Sequence, residues 1–360
     1  MFCSWQQKAV FFILVLLLFS NRPLLAQESD VWTAYYNADT TLIGFKDAVG
    51  NVRIPAKFTM FAHASKFRHI ITVGERKGDS LKSYYLTKAG RVVGRDSLYF
   101  FDNTPDCESE GFIRFADDRS ERVGMFDRDG NVVISATYNW LSNVRNGMII
   151  ALKGADKVYD DPGREHYYWK SGRSMLIDTA DNVLIDSFTG TEILDFYSAQ
   201  ASLQPGIDTV RRYFRRPDGT YLSFVDHQLE FRNWLDRLLN DLSLASLLDA
   251  TFVEVTIDEP DDWVKKPGKQ YVASNYERIN KKLLSIKNKK DRWWLYEGGL
   301  NKFIYTDPKT YGKYYNDCGE SKYWKYPVLS IVINNKKGQD HFDFLRTDEG
   351  YKLISVSFAR

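Results

Sequence analysis

Apolar positions in the first part of the chain recur in short alternating runs, each bounded by turn residues. In residues 44–58, GFKDAVGNVRIPAKF, Val52 and Ile54 lie two apart and so point to one face of a strand. Residues 124–138, GMFDRDGNVVISATY, restate the phrase without a gap. Gly44, Asp47, Gly50, Asn51, Val52, Ile54 and Ala56 answer Gly124, Asp127, Gly130, Asn131, Val132, Ile134 and Ala136, and Phe58 answers Tyr138. A fainter version, YYLTKAGRVV, lies halfway at residues 84–93. A recurrence of about 40 residues is the mark of repeat architecture. Asp47 and Asp127 can accept hydrogen bonds from the backbone that follows them and start a turn. Gly50 and Gly130 can take the left-handed backbone that closes a tight hairpin. Apolar runs at 70–73 and 148–152 predict a further strand per unit, which makes the unit an antiparallel meander. Residues 175–185 fit the same pattern with Asp181 in the glycine position, a backbone that aspartate tolerates. Residues 213–221 supply a fifth candidate hairpin.

From about residue 222 the period changes. Leu229, Phe231, Trp234, Leu235, Leu238, Leu239 and Leu242 fall at spacings of three and four, which predicts an amphipathic helix from near Asp226 with a break near Ser243. Residues 252–257 alternate as a strand, residues 274–288 predict a second, basic helix, and three strands close the chain at 328–333, 341–345 and 351–356. The expected fold class is thus a mainly β repeat array of meander units, followed by a separate α+β domain. The expected boundaries are 27–221 and 222–360. An open curved array fits copies of unequal strength and spacing better than a closed propeller-like ring.

At these phrases the chain resembles the WG-repeat family, whose unit reads roughly Trp/Tyr-Gly-Tyr/Phe-Ile-Asp-x-x-Gly-Lys/Asn-x-Val-Ile-Pro-x-x-Tyr/Phe. The resemblance covers roughly residues 31–200. It departs at Ile43 and Val123, which stand where the family has tryptophan, and at Ser135, which replaces the proline. It implies a β-rich repeat used in binding or assembly and carries over no catalytic residues. The closing strand–turn–strand is similar to the end of an NTF2-like cone.

The amino-terminal residues read differently. Lys8 precedes an unbroken apolar run at residues 9–19, Asn21-Arg22-Pro23 breaks it, and Leu24-Leu25-Ala26 precedes Gln27. That is the layout of a secretory signal peptide, residues 1–26, and the run is shorter than the roughly 20 residues a membrane span needs. Lys8 and Arg22 account for the formal net charge of +2, so the chain from residue 27 is balanced. This balance gives no electrostatic footprint for nucleic acid. Export to the periplasm, outer surface or medium of a bacterium is expected, without a transmembrane segment after cleavage. Two cysteines remain, Cys107 and Cys318, and an oxidising compartment would permit them to pair.

Few residues suggest chemistry. His63, His69, His166, His227 and His341 form no zinc-hydrolase pattern, and no Gly-x-Ser-x-Gly elbow occurs. Cys318 in an exposed loop, with His341 as base, is the nearest approach to a nucleophilic pair. Asp127-Arg128-Asp129-Gly130-Asn131 resembles a calcium loop but has Tyr138 at the twelfth position, where an acid is required. Residues 156–161 read as a solvated acidic loop. No cofactor or metal site is expected. The candidate binding residues are the aromatics of residues 293–326, above all Trp293, Trp294, Tyr296, Tyr323 and Trp324. Such rings can stack on sugars or anchor an interface, or else pack as a core lid. The expectation is an exported, non-enzymatic binding or assembly protein with a protein or glycan partner at the cell envelope. The alternative is a glycan-directed hydrolase with a carboxylate pair in its carboxyl-terminal domain.

Overall fold

A computed structural model describes residues 30–359 except 60–63, 102, 161–162, 164–165, 192, 260–261, 288–291 and 337. The expected signal segment 1–26 lies outside the described residues, as do His63 and Asp161. The chain is mostly β, in several small antiparallel sheets with a few helices.

Strands Trp32–Tyr36, Ile43–Lys46 and Val52–Phe58 form a meander. It continues through Ile70–Lys77, Ser80–Thr87 and Val92–Val93 into one seven-stranded sheet. Ile113–Asp117, Arg122–Phe126 and Val132–Tyr138 form a second meander, and Met148–Lys153, Arg173–Asp178 and Val183–Ile185 belong to a third. One backbone closure joins the last two strands of each group. Asp47 N–H donates to the Asn51 carbonyl, and Gly50 N–H to the Asp47 carbonyl. The same pair of bonds forms at Thr87, Asp127, Asp178 and Arg216. At Asp47, Asp127 and Asp178 the carboxylate also accepts from the backbone N–H two and four residues on and from the asparagine side chain. The Asp127 carboxylate is thereby engaged in its own hairpin. Asp181 stands in the glycine position with φ 66°.

Neighbouring turns touch. Arg91 donates from Nη1 to the Asp129 carbonyl and to Asn131 Oδ1, and Tyr138 donates to Asp181 Oδ1 at 2.6 Å. Between strands, small aromatic clusters fill the interior, among them Phe45, Phe58 and Phe67, then Tyr85 and Phe126, then Phe196, Phe214 and Phe224.

One reading of this region needs correction. Asp156–Tyr159 is a strand rather than a loop. It pairs with Tyr167–Lys170 in a hairpin held by aromatic contacts and by Lys157 lying 4.3 Å from the Tyr167 ring centroid. The fifth hairpin, Arg211–Arg215 with Tyr221–Asp226, does form. However, its second strand sits in the middle, paired on its other side with Leu194–Ser202, so the strand order differs from the preceding groups.

Asp226 then caps helix α1 (His227–Asn240), its carboxylate accepting from Gln228 and Leu229 N–H. Ser243 caps α2 (Leu244–Asp249) with a capping box. The basic helix expected at 274–288 forms as α4 (Tyr276–Lys287), and a short helix that the period did not show, α3 (Gly268–Ser274), precedes it. The break falls at Asn275, whose side chain donates to the Tyr271 carbonyl and competes with the helical ladder. A six-stranded sheet packs Leu329, Ile331, Ile333, Phe342, Phe344 and Leu353 against these helices. Its order is Trp263–Pro267, Thr251–Asp258, Gly350–Ser357, Gly338–Thr347, Val328–Asn335 and Arg292–Gly298. All its pairings are antiparallel but one: Thr251–Asp258 runs parallel to the last strand, Gly350–Ser357. Residues 299–327, between the edge strand and its neighbour, fold back over the other face of the sheet. There Tyr305, Tyr311, Tyr314 and Tyr326 are buried on Val328, Leu345 and Ile354. No described helix is long and apolar enough to cross a membrane.

Candidate functional site

Where residues 299–327 meet the meanders, an open cleft of about 450 Å³ forms. Its construction begins with Asn146-Gly147, which have φ 51° and 67°, the pair of positive values that a two-residue hairpin turn of type I′ requires. Arg145 and Met148 close the turn by exchanging backbone hydrogen bonds. Glu110 steadies it, its carboxylate accepting from the N–H groups of Asn146 and Gly147 and from the Tyr197 hydroxyl. Burial, then the bond to Glu110, raises the Tyr197 phenol well above its ordinary range. The rigid turn sets Arg145, which is 2% exposed, beneath the cleft. Its guanidinium lies 4.4 Å from the Trp324 ring centroid and 5.3 Å from that of Tyr323, and Nη2 donates to the Tyr323 hydroxyl at 3.3 Å. The two rings meet edge to face at 5.5 Å. Such cation–ring contacts gain strength as the site is desolvated.

Phe101, 69% exposed, and Trp140 also line it. The polar lining includes Asn143, Ser321 and two carboxylates, Asp106 and Glu320. Asp106 is buried against Arg114: one oxygen accepts from Arg114 N–H and Nε, the other from Nη2 and Asn143. Glu320 accepts from the Asn316 side chain at 2.7 Å.

The disulfide Cys107–Cys318, with Cα atoms 6.2 Å apart, sits directly behind this wall. It brings Glu320 and Tyr323 to Asp106 and Asn143. Cys318 is 7% exposed rather than in an exposed loop, and its sulfur is bonded to Cys107, so the pairing with His341 as a nucleophile is withdrawn. Asp317 strengthens the join: its carbonyl accepts from Ser65 N–H and Oγ, and its carboxylate pairs with Arg68.

The five candidate aromatics separate. Tyr323 and Trp324 line the cleft. Trp293 faces the helices and packs against the main core of the six-stranded sheet. Trp294 and Tyr296 point to the other face of the same edge strand and are 43% and 64% exposed. Most of the remaining tyrosines of residues 293–326 are packed as a lid. The turn residues Asp47, Gly50, Asp127 and Gly130 close hairpins and are not among the cleft's lining residues. The sequence reading missed Arg145, Trp140 and Phe101. The Asn146-Gly147 dipeptide before an apolar strand was the available signal for the first of them.

Among known families, the WG containing repeat matches residues 124–155, so the chain carries a WG repeat there, and Arg145 lies inside the matched segment. The carboxyl-terminal part has no family assignment. No curated protein matches the chain.

Proposed function

We propose that this WG-repeat chain is an exported, non-enzymatic binding or assembly protein of a bacterial envelope. Its turn-closed β units act as a repeat array of about 40-residue period, residues 27–221, and residues 222–360 act as a second, α+β unit. The observation that carries the reading is the cleft at their seam. An arginine held by a rigid turn supports two aromatic rings in a cleft that an exposed phenylalanine also lines, as the anchors of binding surfaces are built. A protein or glycan partner of the cell envelope is the expected occupant. The buried disulfide fits an oxidising compartment, and the residue 1–26 leader fits export.

A second reading, a glycan-directed hydrolase, has one observation in its favour: two carboxylates line the cleft. Glycoside hydrolysis needs such a pair. Asp106 is already engaged by Arg114 and Asn143, which leaves Glu320 without an evident partner acid in the lining. Binding is therefore the better account.

The test is a screen of the purified chain against envelope and dietary glycans and an envelope extract, with binding and product release read together. A Tyr323→Ala/Trp324→Ala variant is run alongside. Binding that weakens by about 2 kcal/mol, roughly 30-fold, in the variant is expected. Product release abolished by Glu320→Gln would replace this reading with the hydrolase. Trp293 is unsuited to such a test because its ring packs on the core.

A further inference from the structure

A second cavity, of about 770 Å³, opens on the other side of the disulfide. It is within the size range of small-ligand sites. Lys66, Arg68, Lys302, Lys313 and Lys322 line it, against two carboxylates, Asp307 and Asp317. Both acids have other work. Asp317 pairs with Arg68, and Asp307 accepts from Lys309 and Thr310 N–H and the Thr310 hydroxyl at the start of a helical turn. Lys313 pairs with Asp348 at 3.1 Å. Lys66, Lys302 and Lys322 pair with no carboxylate among the described residues. They come from two separate parts of the chain: Lys66 from a short strand of the meander region, and Lys302 and Lys322 from the two ends of residues 299–327.

Like charges gathered in one concavity repel, and an anion is what relieves them. Burial lowers the Lys322 ammonium from its ordinary range. Asp317 opposes this, and repulsion from Lys325, Lys66 and Arg68 adds to it. The cavity also holds an apolar surface. Phe303 is 83% exposed at its margin, and Tyr305 and Tyr315 form part of the wall. A ring face beside a cluster of ammonium groups suits a ligand with a stackable body and acidic substituents.

We propose that this cavity binds an acidic sugar, a ring carrying carboxylate or sulfate groups, at a site independent of the aromatic cleft. The site is assembled only when the meanders and the lid are joined, because Lys66 comes from one and Lys302 and Lys322 from the other. A single concavity with one exposed ring at its margin does not suit a nucleic-acid strand, which needs a groove tracking the backbone with successive stacking platforms.

Calorimetric titration of the purified chain with oligogalacturonate tests this, with the uncharged galactose oligomer, a sulfated oligosaccharide and single-stranded DNA of equal charge as comparisons. The acidic sugars should bind and the neutral oligomer should not. Raising the salt from low to about 0.5 M should weaken the binding several-fold. Lys66→Glu/Lys302→Glu, both at exposed positions, should lose at least tenfold in affinity at an unchanged melting temperature. Lys322→Met should weaken binding without reversing a charge, and Tyr323→Ala should leave it intact. The proposal is overturned by equal binding of acidic and neutral oligomers, by no binding, by indifference to the lysine substitutions, or by DNA binding as tightly as the sugars.

Discussion

Gly44 and Gly124 occupy the same place in the two clear phrases, and the structure shows what the position demands. Gly124 faces Phe115 across the strand pair, and a Cβ there would lie 2.6 Å from the Ile134 carbonyl oxygen and 2.6 Å from the Phe115 ring. Gly44 faces Tyr35 in the same way, with the Ile54 carbonyl and the Tyr35 ring at 2.6 and 2.7 Å. An aromatic ring of the preceding strand thus packs on the bare backbone. Gly124→Ala should cost about 1–3 kcal/mol, because neither the carbonyl nor the packed ring can yield freely. Gly50 is different: it has φ 91° with open space around it, so Gly50→Ala should cost only about 1 kcal/mol of backbone strain. Denaturant midpoints of the two variants separate the cases, and equal losses would refute the close-packing account. The glycine and its turn partners could be read from the sequence because each turn is closed by bonds spanning four residues. The covering ring comes from the preceding strand, and only pairing register places it.

The edge strand Arg292–Gly298 shows what is legible one level up. Adjacent residues of a strand point to opposite faces, so Trp293 and Trp294 had to part. Which of them met the core depended on the helices packing on one side. The junction between the last meander and α1 carries a sharper consequence. Glu230 on α1 accepts from Arg346 at 2.8 Å and from Tyr351 at 2.8 Å, and His227 lies 3.5 Å away. Burial alone would raise its carboxyl, but the neighbouring His227 and hydrogen bonds from Arg346 and Tyr351, with the Arg346 charge, hold it down to about 2. A carboxyl depressed in the fold stabilises it fully above its unfolded value, near 4.5, and that contribution is lost as the pH falls towards 2. Stability measured by denaturant titration should therefore fall between about pH 4.5 and 2, and Glu230→Gln should flatten that fall. A slope unchanged by the substitution would show that other carboxyls govern it.

At the scale of the whole molecule, the disulfide and the Asp317 contacts hold the lid of residues 299–327 against the meanders. The bridge spans 211 residues of sequence, a long loop to close in the unfolded chain. Cys107→Ser/Cys318→Ser should lower the stability by about 2–5 kcal/mol. It should also loosen both the aromatic cleft and the basic cavity, since each takes walls from the two sides of the seam. Thermal unfolding of the variant, with and without reductant, checks the first effect; a midpoint equal to that of the parent would mean that the other seam contacts suffice.

The sequence by itself determined the local elements: the turn-closed hairpins, the helix that Asp226 caps, the alternating closing strands and the presence of a WG repeat. These depend on interactions a few residues apart, where composition and period leave an imprint. Arg145 under Tyr323 and Trp324, Cys107 bonded to Cys318, and Lys66 beside Lys302 and Lys322 each join residues about 180 or more positions apart. No periodicity carries such a distance. Tertiary structure alone decided them, because they arise from burying the lid of one part of the chain against the sheets of another.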